Sequence, residues 1–281
     1  MKFPTALLFF TLLIISSCGK HTEKTDELPV EVNQNKAPYI IAVGSCNDQE
    51  RPQPLWQPIA NHKPGVFIWG GDNVYADTED MAKMAADYNK VLANKAYQNL
   101  AASATILGTW DDHDYGLNDG GAEWAYKNQA QTLLLDFLKY PKTDPLRTQE
   151  GVYHARTIKT DSGLIKIIML DTRYFRTALK KSTTEGRRYD AWDLNHEGTL
   201  LGEAQWQWLE KELKDDTADF TLINTSIQFL SNSHGWEKWG NFPKEVNRMY
   251  HLLTNAKAKR IFMVSGDRHM AEISVNKQVK S

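Results

Sequence analysis

The chain is 281 residues long, 41% hydrophobic and 24% charged, a globular profile that excludes disorder or a fibrous repeat for most of its length. Its 33 Lys and Arg against 35 Asp and Glu leave a net charge of −2, which excludes a broad basic surface for nucleic acid as its main feature. The two cysteines, Cys18 and Cys46, exclude a disulfide framework.

The N-terminus reads as an export signal: Lys2, then an apolar run from Ala6 to Ile15 that falls short of the ~20 residues a membrane-spanning helix needs. Ser16-Ser17-Cys18-Gly19 resembles a bacterial lipobox, which implies cleavage before Cys18 and a lipid on its sulfur. Residues 1–17 are thus expected to be a lipoprotein signal peptide. Residues 18–37, polar and poor in large apolar side chains, read as a flexible tether. The expected location is the bacterial cell envelope, at the outer membrane or a periplasmic face, held to the membrane through Cys18.

From residue 38 onward the pattern predicts one domain. Tyr39–Ser45, Val66–Gly70 and Thr105–Thr109 are short apolar runs that fit buried strands. Between them, Thr78–Ala102 carries Met81, Met84, Tyr88 and Val91 at helical spacing. Gly120–Tyr140 reads as a second long helix, stopped by Pro141. Gly151–Ile158 and Leu164–Leu170 read as a strand pair. A helix over Glu203–Leu213 and a strand over Asp219–Ile227 follow. Pro243 opens another helix behind Asn241 as its cap, and Arg260–Val264 is the last strand. Strands alternating with helices imply a layered α/β domain.

Polar clusters sit at the C-terminal ends of four of these strands, where ligands bind in open α/β sheets. They are Gly44-Ser45-Cys46-Asn47-Asp48, Gly70-Gly71-Asp72-Asn73-Val74-Tyr75-Ala76-Asp77, Trp110-Asp111-Asp112-His113-Asp114-Tyr115 and Ser265-Gly266-Asp267-Arg268-His269. Singly, each Asp reads as a turn or cap residue and each His as an ordinary one. Together they gather metal-ligand types, and acids packed beside Trp110 and Tyr115 repel one another unless a cation holds them. Cys46 has no partner once Cys18 is lipidated, so it is either buried and inert or bound to an ion.

Six stretches resemble the PhoD-like alkaline phosphatase D family of metallophosphoesterases, within the calcineurin-like group: VGSCND at 43–48, WGGDNVYAD at 69–77, TWDDHDYGLNDGG at 109–121, LDTRYFR at 170–176, LGEAQWQWLEKEL at 201–213 and SGDRHMAE at 265–272. The resemblance implies a four-layer α/β/β/α core and hydrolysis of phosphodiesters or phosphomonoesters by a two-metal site that activates water. It implies ferric iron with calcium as the cofactors, other divalent metals being alternatives. On this resemblance Asp72 is the bridging carboxylate, Cys46 and Tyr75 are iron ligands, and Asp112, Asn118 and Asp267 are further metal ligands. His269 is either a ligand or a phosphate contact. His113 is a proton donor or transition-state contact. Members of the family usually continue beyond SGDRHMAE through strands that close the second sheet, whereas VNKQVKS does not resemble them, so a domain lacking those strands is expected.

Arg173 and Arg268 are candidate clamps for phosphoryl oxygens, or else surface ion pairs. Residues 176–200, with Arg176, Lys180, Lys181, Arg187 and Arg188, read as a solvated loop or a basic flap. Ser231–Phe242, with Trp236 and Trp239, either grips a ligand or packs on the core. The expected partner is a small-molecule or lipid phosphate ester. The rival readings are a phospholipase-type hydrolase on the same site and a non-catalytic binding lipoprotein.

Overall fold

In a computed structural model, which describes residues 37–214 and 216–276, strands and helices alternate along the chain. The predicted leader, Cys18 and all of the tether but residue 37 lie outside the described residues. Among the described residues no helix is long and apolar enough to cross a membrane.

The first half comprises β1 (Ile41–Gly44), α1 (Trp56–Asn61), β2 (Val66–Gly70), α2 (Met81–Ala93), α3 (Lys95–Ser103), β3 (Thr105–Thr109), α4 (Asp112–Tyr115) and α5 (Lys127–Phe137). Strands β1, β2 and β3 form a parallel sheet in that order. The second half comprises β4 (His154–Thr160), β5 (Gly163–Met169), β6 (Lys180–Lys181), β7 (Tyr189–Asp190), α6 (Gly202–Lys214), β8 (Phe220–Asn224), α7 (Pro243–Asn255) and β9 (Ile261–Val264). Its sheet runs β4-β5-β8-β9, antiparallel at the β4–β5 hairpin and parallel beyond it. Strands β6 and β7 make a separate small hairpin.

Period-two alternation sorts the apolar side chains into three cores. Phe67 and Trp69 of β2 face α1, α2, α3 and α5, meeting Trp56, Met84, Tyr88, Tyr97, Leu134 and Phe137. Val66 and Ile68 point the other way and join Leu107, Ile167, Met169 and Leu222 in a cluster drawn from both sheets. Ile168 and Leu170 of the β5 segment, with Ile223 of β8, pack against Trp206, Leu209 and Leu213 of α6 and Met249 and Leu253 of α7. Each such side chain, fully buried, contributes about 1.5–3 kcal/mol.

The strands match the apolar runs, but three helix expectations need correction. The helix predicted over 78–102 is two helices. Asn94 takes an extended conformation and ends α2, and its side chain then caps α3 by accepting from the Ala96 and Tyr97 amides. The helix predicted over 120–140 is confined to α5, because residues 120–126 are held in turns, with Tyr115 Oη donating to Gly121 O and Ala122 N to Arg176 O. Asn241 does not cap α7. Its Oδ1 accepts from Lys238 N, and Phe242 stands at the cap position.

Among the described residues β1 and β9 each pair along one edge only, and they carry exposed apolar side chains, Val43 and Phe262. The loops that follow these two strands meet: a Cβ on Gly266 would lie 2.6 Å from Ser45 Cβ.

Candidate metal centre and active site

The four polar clusters converge at the C-terminal ends of β1, β2, β3 and β9. The turns after β1 and β2 are tied through Cys46 N to Gly71 O (3.2 Å) and Asn47 N to Asp72 O (2.8 Å). Gly71 is at φ +106°, and a Cβ there would lie 2.8 Å from Asp111 Cβ, so only glycine lets the second turn approach the third. Asp114 is the shared anchor beneath them. Its Oδ1 accepts from the Asp72 and Asp111 amides, and its Oδ2 from Asn73 Nδ2 at 2.6 Å and Tyr88 Oη at 3.3 Å. Burial pushes its carboxyl up to about 7.

Two donor groups result among the described residues. Cys46, Asp72 and His269 offer ligand atoms within 4.8 Å of one another, and so do Asp72, Asp112 and His113. Asp72 belongs to both. Cys46 Sγ lies 3.6 Å from Asp72 Oδ2. Tyr75 Oη is 2.7 Å from His269 Nε2, which attaches the phenol to the first group. Asn118 Nδ2 lies 2.6 Å from Asp112 Oδ2, which attaches the amide to the second. Asp267 lines the same pocket, and its buried Oδ2 has no hydrogen-bond partner among the described residues.

The electrostatics show what the donor groups could hold. Burial, then Asp111, Asp112, Cys46 and Asp114, hold the Asp72 carboxyl well above the usual range. Burial raises Asp267 to about 7, with Asp112 adding to it against the pull of Arg173. The Cys46 thiol is raised by burial first, with Asp111 and Asp267 also opposing ionisation. The Tyr75 phenol is raised by burial and then by Asp72. Asp112 is the exception: burial pushes it up, but Arg173, His113 and bonds from Asp119 N and Asn118 outweigh this and bring it down to about 2. Buried acidic donors that oppose one another's ionisation, with an orphaned carboxylate oxygen among them, could hold a cation.

Five of these residues occupy left-handed backbone without being glycine: Cys46 (φ 56°), Asp72 (52°), Asp77 (43°), Asp267 (68°) and His269 (50°). Such conformations are uncommon and cluster at functional sites.

Two sequence expectations change. Arg173 does not face the pocket. It is 1% exposed, and its Nε and Nη1 bond Asp111 Oδ1 and Glu237 Oε2, each at 2.6 Å. It is a structural tie that neutralises two buried acids. Arg173→Met leaves the buried Asp111 without its cation and Glu237 with Arg176 alone, and we expect a loss of about 3–5 kcal/mol of stability in urea unfolding; a loss under about 1 kcal/mol would refute this role. Arg176, from the expected basic flap, is likewise buried, its Nε 2.9 Å from Glu237 Oε1. Arg268, by contrast, lines the pocket, as do Arg188 and Trp236, while Trp239 is in the core.

Asp77 is a residue whose role the sequence did not single out. Its Oδ1 and Oδ2 lie 2.8 and 2.7 Å from His113 Nδ1, and the His113 ring packs at a 38° tilt against Tyr75, with centroids 4.3 Å apart. Burial disfavours the imidazolium, but Asp77 and then Asp112 outweigh it, so the His113 pKa is raised. The only signal was its place five residues after Asp72 in the same turn.

A family model described as PhoD-like phosphatase matches residues 41–278. Alkaline phosphatase D of Bacillus subtilis strain 168 is 22% identical across 88% of this chain and 48% of its own length. A solved structure, described as the structure of PhoD, superposes with a TM-score of 0.62 at 18% identity, covering 82% of this chain and 51% of that one. The mixed α/β fold is therefore shared. The chain spans about half the length of both relatives.

Proposed function

The chain belongs to the PhoD-like phosphatase family, and from that premise we propose that it is a metal-dependent hydrolase of phosphate esters. The observation that carries this reading is the pair of donor groups sharing Asp72. Cys46, Tyr75 and His269 would hold one ion beside Asp72; Asp112, Asn118 and Asp267 would hold the other. The thiolate and phenolate suit ferric iron, and the oxygen-rich set suits calcium or another hard divalent ion. When bound, such a pair supplies charge neutralisation at the phosphoryl oxygens and an acidified water.

The chain's own residues supply the rest. Asp77 fixes the His113 ring through Nδ1, which leaves Nε2 to hand a proton to the departing alkoxide. His113→Ala should lower kcat about 10²–10⁴-fold. Asp77→Ala should lower it about 10–100-fold, as loss of an orienting partner does. Steady-state kinetics on an alkyl phosphate, whose alkoxide leaving group needs that proton, check both, and an Asp77→Ala loss as large as that of His113→Ala would show that Asp77 does more than orient the ring. The direct test of the function is elemental analysis of the purified protein together with assays on mono- and bis-p-nitrophenyl phosphate. A protein that binds no metal or turns over neither ester would overturn it.

We also propose a layer order of α/β/β/α, supported by the three separate apolar cores. The domain would run from residue 38, carried on a tether of residues 18–37 lipidated at Cys18 and exported to the cell envelope. Support for that attachment is the sequence of residues 1–19. A Cys18→Ser chain that is processed and fractionates like the original would exclude it.

A further inference from the structure

Arg188, Trp236 and Arg268 share the lining of the ≈ 360 Å³ pocket with Asp72, Asp112 and His113. The guanidinium carbons of Arg188 and Arg268 lie 5.3 and 5.2 Å from the Trp236 ring centroid. Trp236 is 43% exposed, so the ring is not there to fill a core. Two cations over one ring repel each other, and an anion between them relieves the repulsion.

Further cations lie close by, although Arg188 is itself paired with Asp119. His234 is pushed down to about 4 by burial, then by Lys238 and Arg268. Lys238 is lowered by burial, then by Arg187 and Arg268. The donors are also available. Among the described residues Arg268 makes no side-chain hydrogen bond or ion pair. Arg188 commits only Nη2, to Asp119 Oδ2 at 2.9 Å and Asn118 Oδ1 at 3.3 Å.

We propose that Arg188 and Arg268, held over Trp236, clamp a terminal phosphate, so that the pocket favours a phosphomonoester dianion and its product, inorganic phosphate, over a phosphodiester. This rests on the phosphate-ester reading and deepens it. The acidic floor of Asp72, Asp112 and Asp267 repels a phosphoryl group unless cations intervene; the rim is where the chain itself offers donors. A diester has two unesterified oxygens and one charge. A terminal phosphate has a third oxygen and a second charge, and these are what the extra donors take up. Trp236 is a positioning residue, acting through the two arginines.

The test titrates inorganic phosphate into the full chain by calorimetry, comparing the original protein with Trp236→Leu, Trp236→Phe and Arg268→Lys. Trp236→Leu and Arg268→Lys are each expected to weaken phosphate binding about 3–10-fold, and Trp236→Phe, which keeps an aromatic face, by less. The KM for p-nitrophenyl phosphate should rise by the same factor, with a smaller change in kcat. The KM for bis-p-nitrophenyl phosphate should stay within about twofold. Mono- and diester KM values rising together would overturn the proposal. So would unchanged phosphate affinity in Trp236→Leu protein of unchanged Tm, and if that variant fails to fold, Arg268→Lys carries the same comparison. A protein that hydrolyses neither ester yet binds phosphate through Trp236 would overturn the hydrolase reading and support the clamp.

Discussion

Asp72→Asn is expected to strip the pocket of both metals and to abolish turnover. Asp72 is the residue common to both donor groups, and its backbone amide is already bound to Asp114. An amide offers one weak neutral oxygen where the carboxylate offers two charged ones, so neither ion keeps its shared ligand. The loss of rate should exceed the roughly 10–100-fold that follows removal of a partner outside the ligand sphere. Full metal content with a normal rate in Asp72→Asn would sink the two-metal reading. The metal-free protein should not be destabilised by the change, because ionised Asp72 is opposed by its neighbours. The same sign governs pH. A carboxyl raised from its ordinary value of ~3.9 to about 7, as at Asp267, binds its proton more tightly folded than unfolded. Stability of the metal-free protein should therefore fall as pH rises from ~4 to ~7, and added metal should restore most at the upper end.

Cys46→Ser is expected to remove iron, colour and activity together. A thiolate bound to ferric iron gives a visible charge-transfer band, and serine offers a harder, far more basic oxygen. Burial and the neighbouring acids keep the free thiol protonated, so the metal-free protein should be colourless. A buried inert cysteine predicts instead a modest stability cost with iron, colour and rate unchanged. Cys46 should also resist thiol reagents in loaded protein and react after chelation; equal reactivity in folded protein before and after would exclude the bond.

What the sequence made legible was local. The apolar runs at 39–45, 66–70 and 105–109 each contain a strand, as short apolar runs too brief for a helix do. The acidic and sulfur-bearing turns follow those strands directly, so parallel pairing of β1, β2 and β3 brings them together. Arg173 misled because its partners are remote: Asp111 lies 62 residues before it and Glu237 64 after. An arginine in LDTRYFR looks the same whether it meets a ligand or two buried acids. The bond of Asp77 to His113 spans 36 residues and was hidden in the same way. Asn94 was missed because an Asn inside a helical pattern is tolerated; only its extended ψ of 118° reveals the break.

The left-handed backbone at Cys46, Asp72, Asp77, Asp267 and His269 sets selection for a robust fold against selection for a working one. At each position a glycine would relax the chain, since it alone adopts that conformation without a steric cost. Each glycine would also delete a donor or the residue that orients one. Drift that rewarded only thermal robustness would therefore erode this pocket. A lineage that retains non-glycine side chains at all five positions is one in which the chemistry, not the scaffold, has been kept under selection.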